Sequence, residues 1–310
     1  MDEVSSTGIL SRLARRTPTL LIASRFVLGP TLVALAYAGQ RGAWMIVILA
    51  AAWLVGASGA VLASEGADLR LDPAPIHRLD AESLQRGARN FVNYCLNCHS
   101  AKYMRYNRLT DLDLTEQQIK DNLMFATDKI GDTMTSAMKP EDAKRWFGAV
   151  PPDLSVEARV RGADWLYNYL LGFYRDGSTP TGWNNLVFPN VGMPHVLWTL
   201  TGPNTVVSTE FEDHEKASAA AIARKGLVRV DPAPNGKYFV RTVQADPNAQ
   251  GSMTPAQYQA FVADLVNYMD YMAEPTRNER VRLGIVVLLY LGVLFVLVYA
   301  LKRMYWKDVH

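Results

Sequence analysis

The stretch Tyr94-Cys95-Leu96-Asn97-Cys98-His99-Ser100 decides the fold of this 310-residue chain. It contains Cys-x-x-Cys-His, the attachment signature of a c-type haem. The two thiols can each form a thioether with one vinyl group of a haem, and the adjacent imidazole can bind the iron. A zinc ribbon would need a second pair of ligands, and the chain has only two cysteines. A thioredoxin-like motif needs no histidine here and expects a βαβ pattern. We therefore expect one covalent haem c on Cys95 and Cys98, with His99 as proximal ligand.

The overall composition describes an ordinary globular protein. The chain is 49% hydrophobic with a formal net charge of +2, which indicates neither disorder nor nucleic-acid binding. Both cysteines belong to the haem motif, so no disulfide framework remains. Thioether attachment takes place in the bacterial periplasm or the mitochondrial intermembrane space. The haem motif must therefore lie on that side of a membrane.

Residues 1–63 form an N-terminal extension with two apolar runs, Thr19–Ala38 and Ala43–Ala63. The second run resembles a signal-peptide core with a small-residue cleavage site at its end. Each run is also near the ~20 residues that a transmembrane helix needs. However, two spans joined by Gly39–Gly42 would return the haem motif to the cytoplasm, so at most one of them can span. The first run is compatible with an over-extended start, a peripheral helix or half of an organelle presequence.

Residues 64–277 are predicted to form the exported haem domain, and its pattern is mainly helical. Periodicity and capping signals predict the helices Ala81–Tyr94, Thr115–Ala126, Val156–Tyr174 and Thr254 to about Ala273. The proline-rich stretch Val150–Ser155 predicts a rigid extended strap. Leu227–Val230 and Lys237–Val243 alternate around a turn-rich connector and predict a β-hairpin. We expect a mainly α, c-type cytochrome fold with a small β-hairpin insertion and a C-terminal transmembrane helix.

The run Leu283–Leu301 contains no charge, and we assign residues 278–303 to a transmembrane helix. Arginines and lysines flank both ends, so the positive-inside rule does not orient it. The haem location does, because it leaves residues 304–310 as a cytoplasmic tail. We expect a single-pass protein of the bacterial inner (cytoplasmic) membrane with its haem domain in the periplasm, in preference to the mitochondrial inner membrane.

The second axial ligand of the iron is sought among the methionines and histidines. Met193 lies in the apolar, proline-broken loop Asn184–Trp198, and a thioether there would raise the reduction potential and close the sixth position. His195 is the rival ligand, and His77 and His214 are weaker ones. The residues alone leave Met193 and His195 open. The other methionines have simpler interpretations: Met269 and Met272 are expected to pack on the last helix, and Met134 and Met138 lie in a polar segment.

Several motifs in order carry a resemblance to a known family. They are Cys-x-x-Cys-His-Ser, Tyr103-x-x-Tyr106-x-Arg108, Pro151-Pro152-Asp153-Leu154-Ser155, Gly192-Met193-Pro194 and Ala273-Glu274-Pro275, followed by one apolar helix. Over residues 70–310 the chain resembles the cytochrome c1 family, the haem subunits of the cytochrome bc1 complex (ubiquinol–cytochrome c oxidoreductase). The resemblance implies that Cys95 and Cys98 hold the haem and that His99 and Met193 are its axial ligands. It also suggests that Arg161 meets a haem propionate, although a solvated surface arginine is an equal alternative.

The resemblance implies a one-electron carrier without catalytic residues of its own. Electrons would arrive from the Rieske iron–sulfur protein and leave to a soluble or membrane-bound cytochrome c, beside cytochrome b, in the lipid bilayer and within a dimeric complex. One alternative is a membrane-tethered haem enzyme of peroxidase or nitrite-reducing type, which would need an open sixth position and usually a second haem motif. Another is a haem subunit of a terminal oxidase, against which the strap and the C-terminal anchor argue.

Overall fold

The computed structural model describes residues 68–307. The apolar runs predicted within residues 1–63, and the last three residues of the predicted tail, lie outside this range. The helices are α1 (Ala81–Tyr94), a 3₁₀ helix (Tyr106–Leu112), α2 (Glu116–Leu123), α3 (Pro140–Phe147), α4 (Glu157–Arg161), α5 (Ala163–Leu171), α6 (Trp198–Thr201), α7 (His214–Ala223), α8 (Pro255–Ala273) and α9 (Arg277–Tyr305). The strands are β1 (Asp68–Arg70), β2 (Ala101–Arg105), β3 (Thr133–Met134), β4 (Phe173–Arg175), β5 (Trp183–Asn185), β6 (Asn204–Phe211), β7 (Val228–Pro232) and β8 (Tyr238–Ala245).

The helix that leads into the haem motif has the predicted bounds. The Asp80 side chain accepts a hydrogen bond from the Ser83 N–H at 3.0 Å, which satisfies one of the free donors at the start of α1. The apolar face predicted from its periodicity is buried, with Phe91 and Ala88 fully excluded from solvent. That face packs against α8, and the two helices form the centre of the main core.

Helix α8 also confirms its prediction. Thr254 and Gln257 form a reciprocal capping box, and Pro255 occupies the first helical position, where its missing N–H removes no helical hydrogen bond. The same capping-box chemistry begins α2, where Thr115 and Gln118 pair as expected. Helix α2 ends at Leu123, three residues earlier than predicted.

The single helix predicted over residues 156–174 is wrong. The segment divides into α4 and α5 at Gly162, whose φ of +91° lies outside the helical region. After α5 the chain leaves the helix altogether, because Phe173–Arg175 pair with Trp183–Asn185 as antiparallel strands. Residues on both sides of the break, Arg161 of α4 and Trp165 of α5, line the same cavity.

The predicted β-hairpin is present but is part of a larger sheet. β7 and β8 pair antiparallel, with Val230 opposite Val240. β8 also pairs with β6 along its full length and β7 pairs with β1, which gives a four-stranded antiparallel sheet in the order β1-β7-β8-β6. The sequence therefore predicted the β7–β8 hairpin but not its pairing with β1 and β6. Helix α7 covers this sheet and closes a second, smaller core of Ala217, Ala221, Val228, Val230 and Val240.

Helix α9 follows α8 after a short connector and is the membrane-spanning candidate within residues 68–307. It is long and apolar enough to cross a bilayer, and none of its most apolar stretch is buried against the rest of the protein. It extends slightly beyond the predicted span of residues 278–303. Glu274 in the connector pairs with Arg280 of α9 at 2.6 Å and with Arg159 of α4 at 3.6 Å. These pairs link the start of the apolar helix to the main core.

Gly87 provides a test of the α1–α8 packing. A Cβ at this position would overlap the backbone carbonyl of Asp264 and the Cβ of Tyr268. We expect Gly87→Ala to lower the melting temperature by several degrees, because overpacking costs about 1–3 kcal/mol and the obstacle is backbone. The ~1 kcal/mol that alanine gains over glycine inside a helix offsets only the lower end of this cost. Thermal unfolding of the detergent-solubilised protein measures the effect.

The matched control is Gly131→Ala, since a Cβ at Gly131 meets no atom within 4 Å. Its melting temperature should stay close to that of the wild type. A Gly87→Ala protein that melts at or above the wild-type temperature would show that the two helices separate freely and that their close approach contributes little.

Candidate functional site

The Cys-x-x-Cys-His motif forms a tight turn directly at the end of α1. The Cys95 N–H still donates to the Phe91 carbonyl at 2.8 Å, so the turn continues the helix hydrogen-bond pattern. The N–H groups of Cys98 and His99 then both donate to the Cys95 carbonyl, at 3.1 and 2.9 Å. This turn brings both thiols and the imidazole to the wall of one cavity.

The cavity has a volume of about 340 Å³ and is mainly apolar. This volume is within the range of cofactor and small-molecule sites, roughly 300–1,000 Å³. All the residues predicted for the site line it: Cys95, Cys98, His99, Arg161 and Met193. The three rival histidines at positions 77, 195 and 214 do not. Residues almost a hundred positions apart in the sequence therefore share one pocket.

The hydrogen bond of His99 defines which of its nitrogens can bind a metal. Nδ1 lies 2.8 Å from the backbone carbonyl oxygen of Pro152. A carbonyl only accepts, so Nδ1 carries the hydrogen and Nε2 keeps its lone pair. Burial also lowers the pKa of His99, although the Pro152 carbonyl opposes this. The ring is therefore neutral, in the tautomer that a metal-binding histidine requires.

The Pro-Pro-Asp-Leu-Ser strap is non-helical, as predicted, and is attached to the segment that follows His99. The Leu154 N–H donates to the Ser100 carbonyl at 2.8 Å, and the Asp153 carboxylate accepts from the Lys102 N–H at 2.9 Å. Burial opposes ionisation of Asp153, but hydrogen bonds from Ser155 and Lys102 hold its pKa below the usual value. Pro152 has no N–H to satisfy and contributes only its carbonyl.

The loop that carries Met193 is held by two buried asparagines. The Asn185 side chain donates to the Tyr169 carbonyl at 2.7 Å and accepts from the N–H groups of Val187 and Phe188 at 2.9 and 3.1 Å. Asn184 accepts from the N–H of Asn190 at 2.8 Å. The asparagines therefore replace the regular backbone pairing that a loop lacks. The prediction of a loop of fixed shape is supported by these contacts, although the asparagines themselves were not singled out from the sequence.

His195 faces away from the cavity and fills a packing role. It is 2% exposed, stacks on Phe173 with ring centroids 4.8 Å apart, and places Nε2 3.2 Å from the Thr201 hydroxyl. Burial lowers its pKa to about 4, so it is a neutral core histidine. Of the other histidines, His77 is exposed on a loop, and the His214 ring contacts Tyr238.

Two further methionines are buried. Met134 lies in a polar stretch of sequence, but its side chain is fully buried in the main core, where the Tyr268 hydroxyl lies 3.4 Å from its sulfur. Met269 packs on α8 as expected and is 3% exposed, but it also lines the cavity. A second thioether therefore faces the same space as Met193. Helical spacing alone does not reveal this, because the opposite wall comes from distant segments.

The thiols and Arg161 complete the polar part of the site. Burial raises the pKa of Cys95 to about 12 and also raises the pKa of Cys98, so both thiols are protonated at neutral pH. Arg161 is exposed at the cavity wall, pairs with Glu157 at 3.2 Å and lies over the Trp165 ring at 5.0 Å. Within residues 68–307, no group of three or more His, Cys, Asp or Glu side chains has the arrangement of a metal cluster.

The comparisons with known proteins agree with these features. The sequence pattern described as the Cytochrome C1 family matches residues 73–226 and 248–309. The chain belongs to the cytochrome c1 family. The cytochrome c1 of Allochromatium vinosum is 44% identical over 264 residues, which is 85% of this chain and 99% of the relative. The ammonia monooxygenase gamma subunit of Nitrosomonas europaea is 47% identical over 247 residues, 80% of this chain and 92% of the relative. The mitochondrial cytochrome c1 of Neurospora crassa is 26% identical over 251 residues, 73% of this chain and 62% of the relative.

The cytochrome c1 pattern has a gap at residues 227–247, which coincides with strands β7 and β8. The remaining two strands of the sheet, β1 and β6, begin before the gap. The β7–β8 hairpin therefore lies outside the residues that match the family pattern. The cavity residues from Tyr94 to Met193 all lie inside the matched range.

Asn185 tests the structure of the methionine loop. In Asn185→Ala, the buried N–H of Val187 and the partly buried Tyr169 carbonyl and Phe188 N–H lose their side-chain partner. Each buried unpaired group costs about 1–3 kcal/mol. We expect a fall in unfolding free energy of at least ~2 kcal/mol, measured by chemical denaturation of the purified protein. Asn248→Ala, at an exposed position, is the control. Equal stability of the two variants would contradict a structural role for Asn185.

Proposed function

We propose that this chain carries single electrons from a Rieske iron–sulfur protein to a soluble or membrane-bound cytochrome c through one covalently attached haem c. Membership of the cytochrome c1 family identifies the coarser role, a haem electron-transfer subunit of ubiquinol–cytochrome c oxidoreductase, the bc1 complex. The observation that carries the finer proposal is the cavity in which Cys95, Cys98, His99 and Met193 meet.

The residues fit a haem in three respects. Two neutral thiols lie at attachment spacing, a neutral imidazole has its Nε2 free, and the surrounding wall is apolar. Bound there, a haem supplies one-electron chemistry between its ferrous and ferric states. The chain's own residues have a different task. Cys95 and Cys98 would hold the group covalently, the strap would orient His99 through Pro152, and the apolar wall would exclude water.

We propose that Met193 would be the second iron-binding residue, beside His99. It lies on the cavity wall, whereas His195 stacks in the core behind it. Together with the His99 imidazole, a soft thioether would raise the reduction potential and leave no open coordination position. Such a pair suits an electron carrier rather than a peroxidase or nitrite-reducing enzyme. An oxygenation reaction is therefore not proposed for this chain, although its Nitrosomonas relative carries the name of a monooxygenase subunit.

Arg161 is our proposed partner for a propionate carboxylate of the haem. Its guanidinium can pair with a carboxylate through two parallel hydrogen bonds. It already pairs with Glu157 at the cavity wall, and its guanidinium carbon lies 5.0 Å from the centroid of the Trp165 ring. A guanidinium has five N–H donors, so one that lies against an aromatic ring and pairs with one carboxylate can still donate to a second carboxylate.

We propose that α9 anchors residues 64–277 on the periplasmic side of a bacterial inner membrane. Relatives in the family and the exposed, apolar α9 support membrane anchoring itself. Haem attachment requires the oxidising side of the membrane, and α8 and α9 are joined by only a short connector. The residues after 303 would then lie in the cytoplasm. Cytochrome b and the Rieske protein are the implied partners, in a dimeric complex.

The ligand assignment is tested with two thioether variants. In Met193→Leu we expect loss of the near-infrared magnetic dichroism of methionine-ligated haem. The potential should also fall by more than about 60 mV, a tenfold change for one electron. Met269→Leu is the matched control, since it removes the other cavity thioether and should keep both signals. Loss of both signals in Met269→Leu, with both kept in Met193→Leu, would identify Met269 as the ligand. Unchanged spectra in both variants would exclude a methionine ligand.

The partner assignment is tested by affinity purification from mild detergent. We expect the full-length tagged chain to recover cytochrome b and a Rieske iron–sulfur protein, identified by mass spectrometry. Because the anchor contributes the exposed apolar face, removal of residues 278–303 should abolish recovery. Copper–haem oxidase subunits in place of cytochrome b would contradict a bc1 complex.

A further inference from the structure

Tyr169 makes a contact with Met193 that the proposed function does not require. Its hydroxyl oxygen lies 3.4 Å from the methionine sulfur, and both residues line the cavity. The hydroxyl is the donor, because a thioether sulfur can only accept. Burial raises the pKa of Tyr169 above its ordinary value, so the hydroxyl keeps its hydrogen at neutral pH.

The direction of this hydroxyl is set by its neighbours. The Tyr169 ring stacks on Trp165 with centroids 4.9 Å apart and planes within 10°. It also contacts Phe173 edge to face, with ring centroids 5.1 Å apart and an interplanar angle of 70°. Two aromatic neighbours at different angles leave the ring little rotational freedom. The hydroxyl is therefore aimed at the sulfur by packing and not by that single hydrogen bond.

The backbone of Tyr169 is tied to the same loop that carries Met193. Its carbonyl accepts from Asn185, which in turn accepts from the N–H groups of Val187 and Phe188. Helix α5 and the methionine loop are thus joined at two points, through Asn185 and through the hydroxyl–sulfur contact. This double connection fixes the distance between donor and acceptor.

We propose that Tyr169 is a positioning residue that orients the Met193 thioether and raises the reduction potential of the haem. This inference rests on the proposed ligation by Met193. A thioether sulfur has two lone pairs, so one can bind iron while the other accepts the tyrosine hydrogen. The hydrogen bond withdraws electron density from the sulfur, which then stabilises ferric iron less. The reduced state is favoured as a result.

A second tyrosine–methionine pair in the chain supplies an internal comparison. Tyr268 and Met134 have the same hydroxyl–sulfur distance of 3.4 Å, but both lie in the main core and neither lines the cavity. Removing that hydroxyl changes the same type of contact without touching the site. An effect that appears at Tyr169 and not at Tyr268 therefore reports on the position of Met193.

The experiment is a potentiometric titration of the full-length, haem-loaded protein in detergent. Tyr169→Phe keeps the stacked ring and removes only the hydroxyl. We expect the reduction equilibrium to shift two- to fivefold toward the oxidised state, roughly 20–40 mV lower in potential at 59 mV per tenfold. The near-infrared signature of methionine ligation should remain. Tyr268→Phe, the matched control, should have the wild-type potential.

Two further variants test the same role: one should raise the reduction potential, and the other should leave it unchanged. A ring-fluorinated tyrosine at position 169 has a more acidic hydroxyl and a stronger hydrogen bond, and it should raise the potential above the wild type. In a Met193→Leu background, Tyr169→Phe should cause no further change, because the acceptor is absent. A wild-type potential for Tyr169→Phe, with methionine ligation retained, would overturn the role of Tyr169. If Met193→Leu itself keeps the methionine signature, the ligand assignment fails and this inference fails with it.

Discussion

The hydrogen bond from His99 Nδ1 to the Pro152 carbonyl joins the two segments on which the site depends. On one side, the imidazole belongs to a turn that continues α1 out of the main core. On the other, the carbonyl belongs to a strap whose prolines offer no competing N–H. The bond selects the tautomer, sets the ring angle and leaves Nε2 directed away from its partner. The contacts of Asp153 and Leu154 with the segment after His99 matter mainly because they hold this carbonyl in place.

The opposite wall of the cavity, which carries Met193, is held in place in a different way. Met193 has no regular secondary structure to hold it, because prolines and a glycine interrupt its loop. The loop is instead organised by the amides of Asn184 and Asn185, which pair with backbone groups that would otherwise be buried without partners. The His99 wall is rigid because it extends a helix. The Met193 wall is rigid because the side chains of Asn184 and Asn185, which hold it, are almost completely excluded from water. Each of the two cavity walls is therefore held in place by hydrogen bonds within the protein itself.

The connector between α8 and α9 is held by ion pairs with residues close to it in space. Glu274 is paired with arginines from α4 and α9, and the hydrogen bond with Arg280 holds the pKa of its carboxyl below the usual value. Helix α4 also carries Arg161 on the cavity wall. The same short helix thus contributes to the candidate site and contacts the connector before α9. The four-stranded sheet and α7 form their own small core, and the match to the family pattern leaves out the β7–β8 hairpin.

Local sequence determined the parts of this protein whose physics is local. The haem motif, the two capping boxes, the limits of α1 and α8 and the apolar anchor follow from spacing, capping chemistry and hydrophobic periodicity within a few residues. The tertiary structure decided what depends on distant neighbours. Gly162 breaks a helix that periodicity would continue, and β1 and β6 join a hairpin that is remote in sequence. His195, two residues from Met193, turns into the core because Phe173 and Thr201 are there to receive it. Which side of a loop faces a cavity is set by such long-range contacts, and no local pattern encodes them.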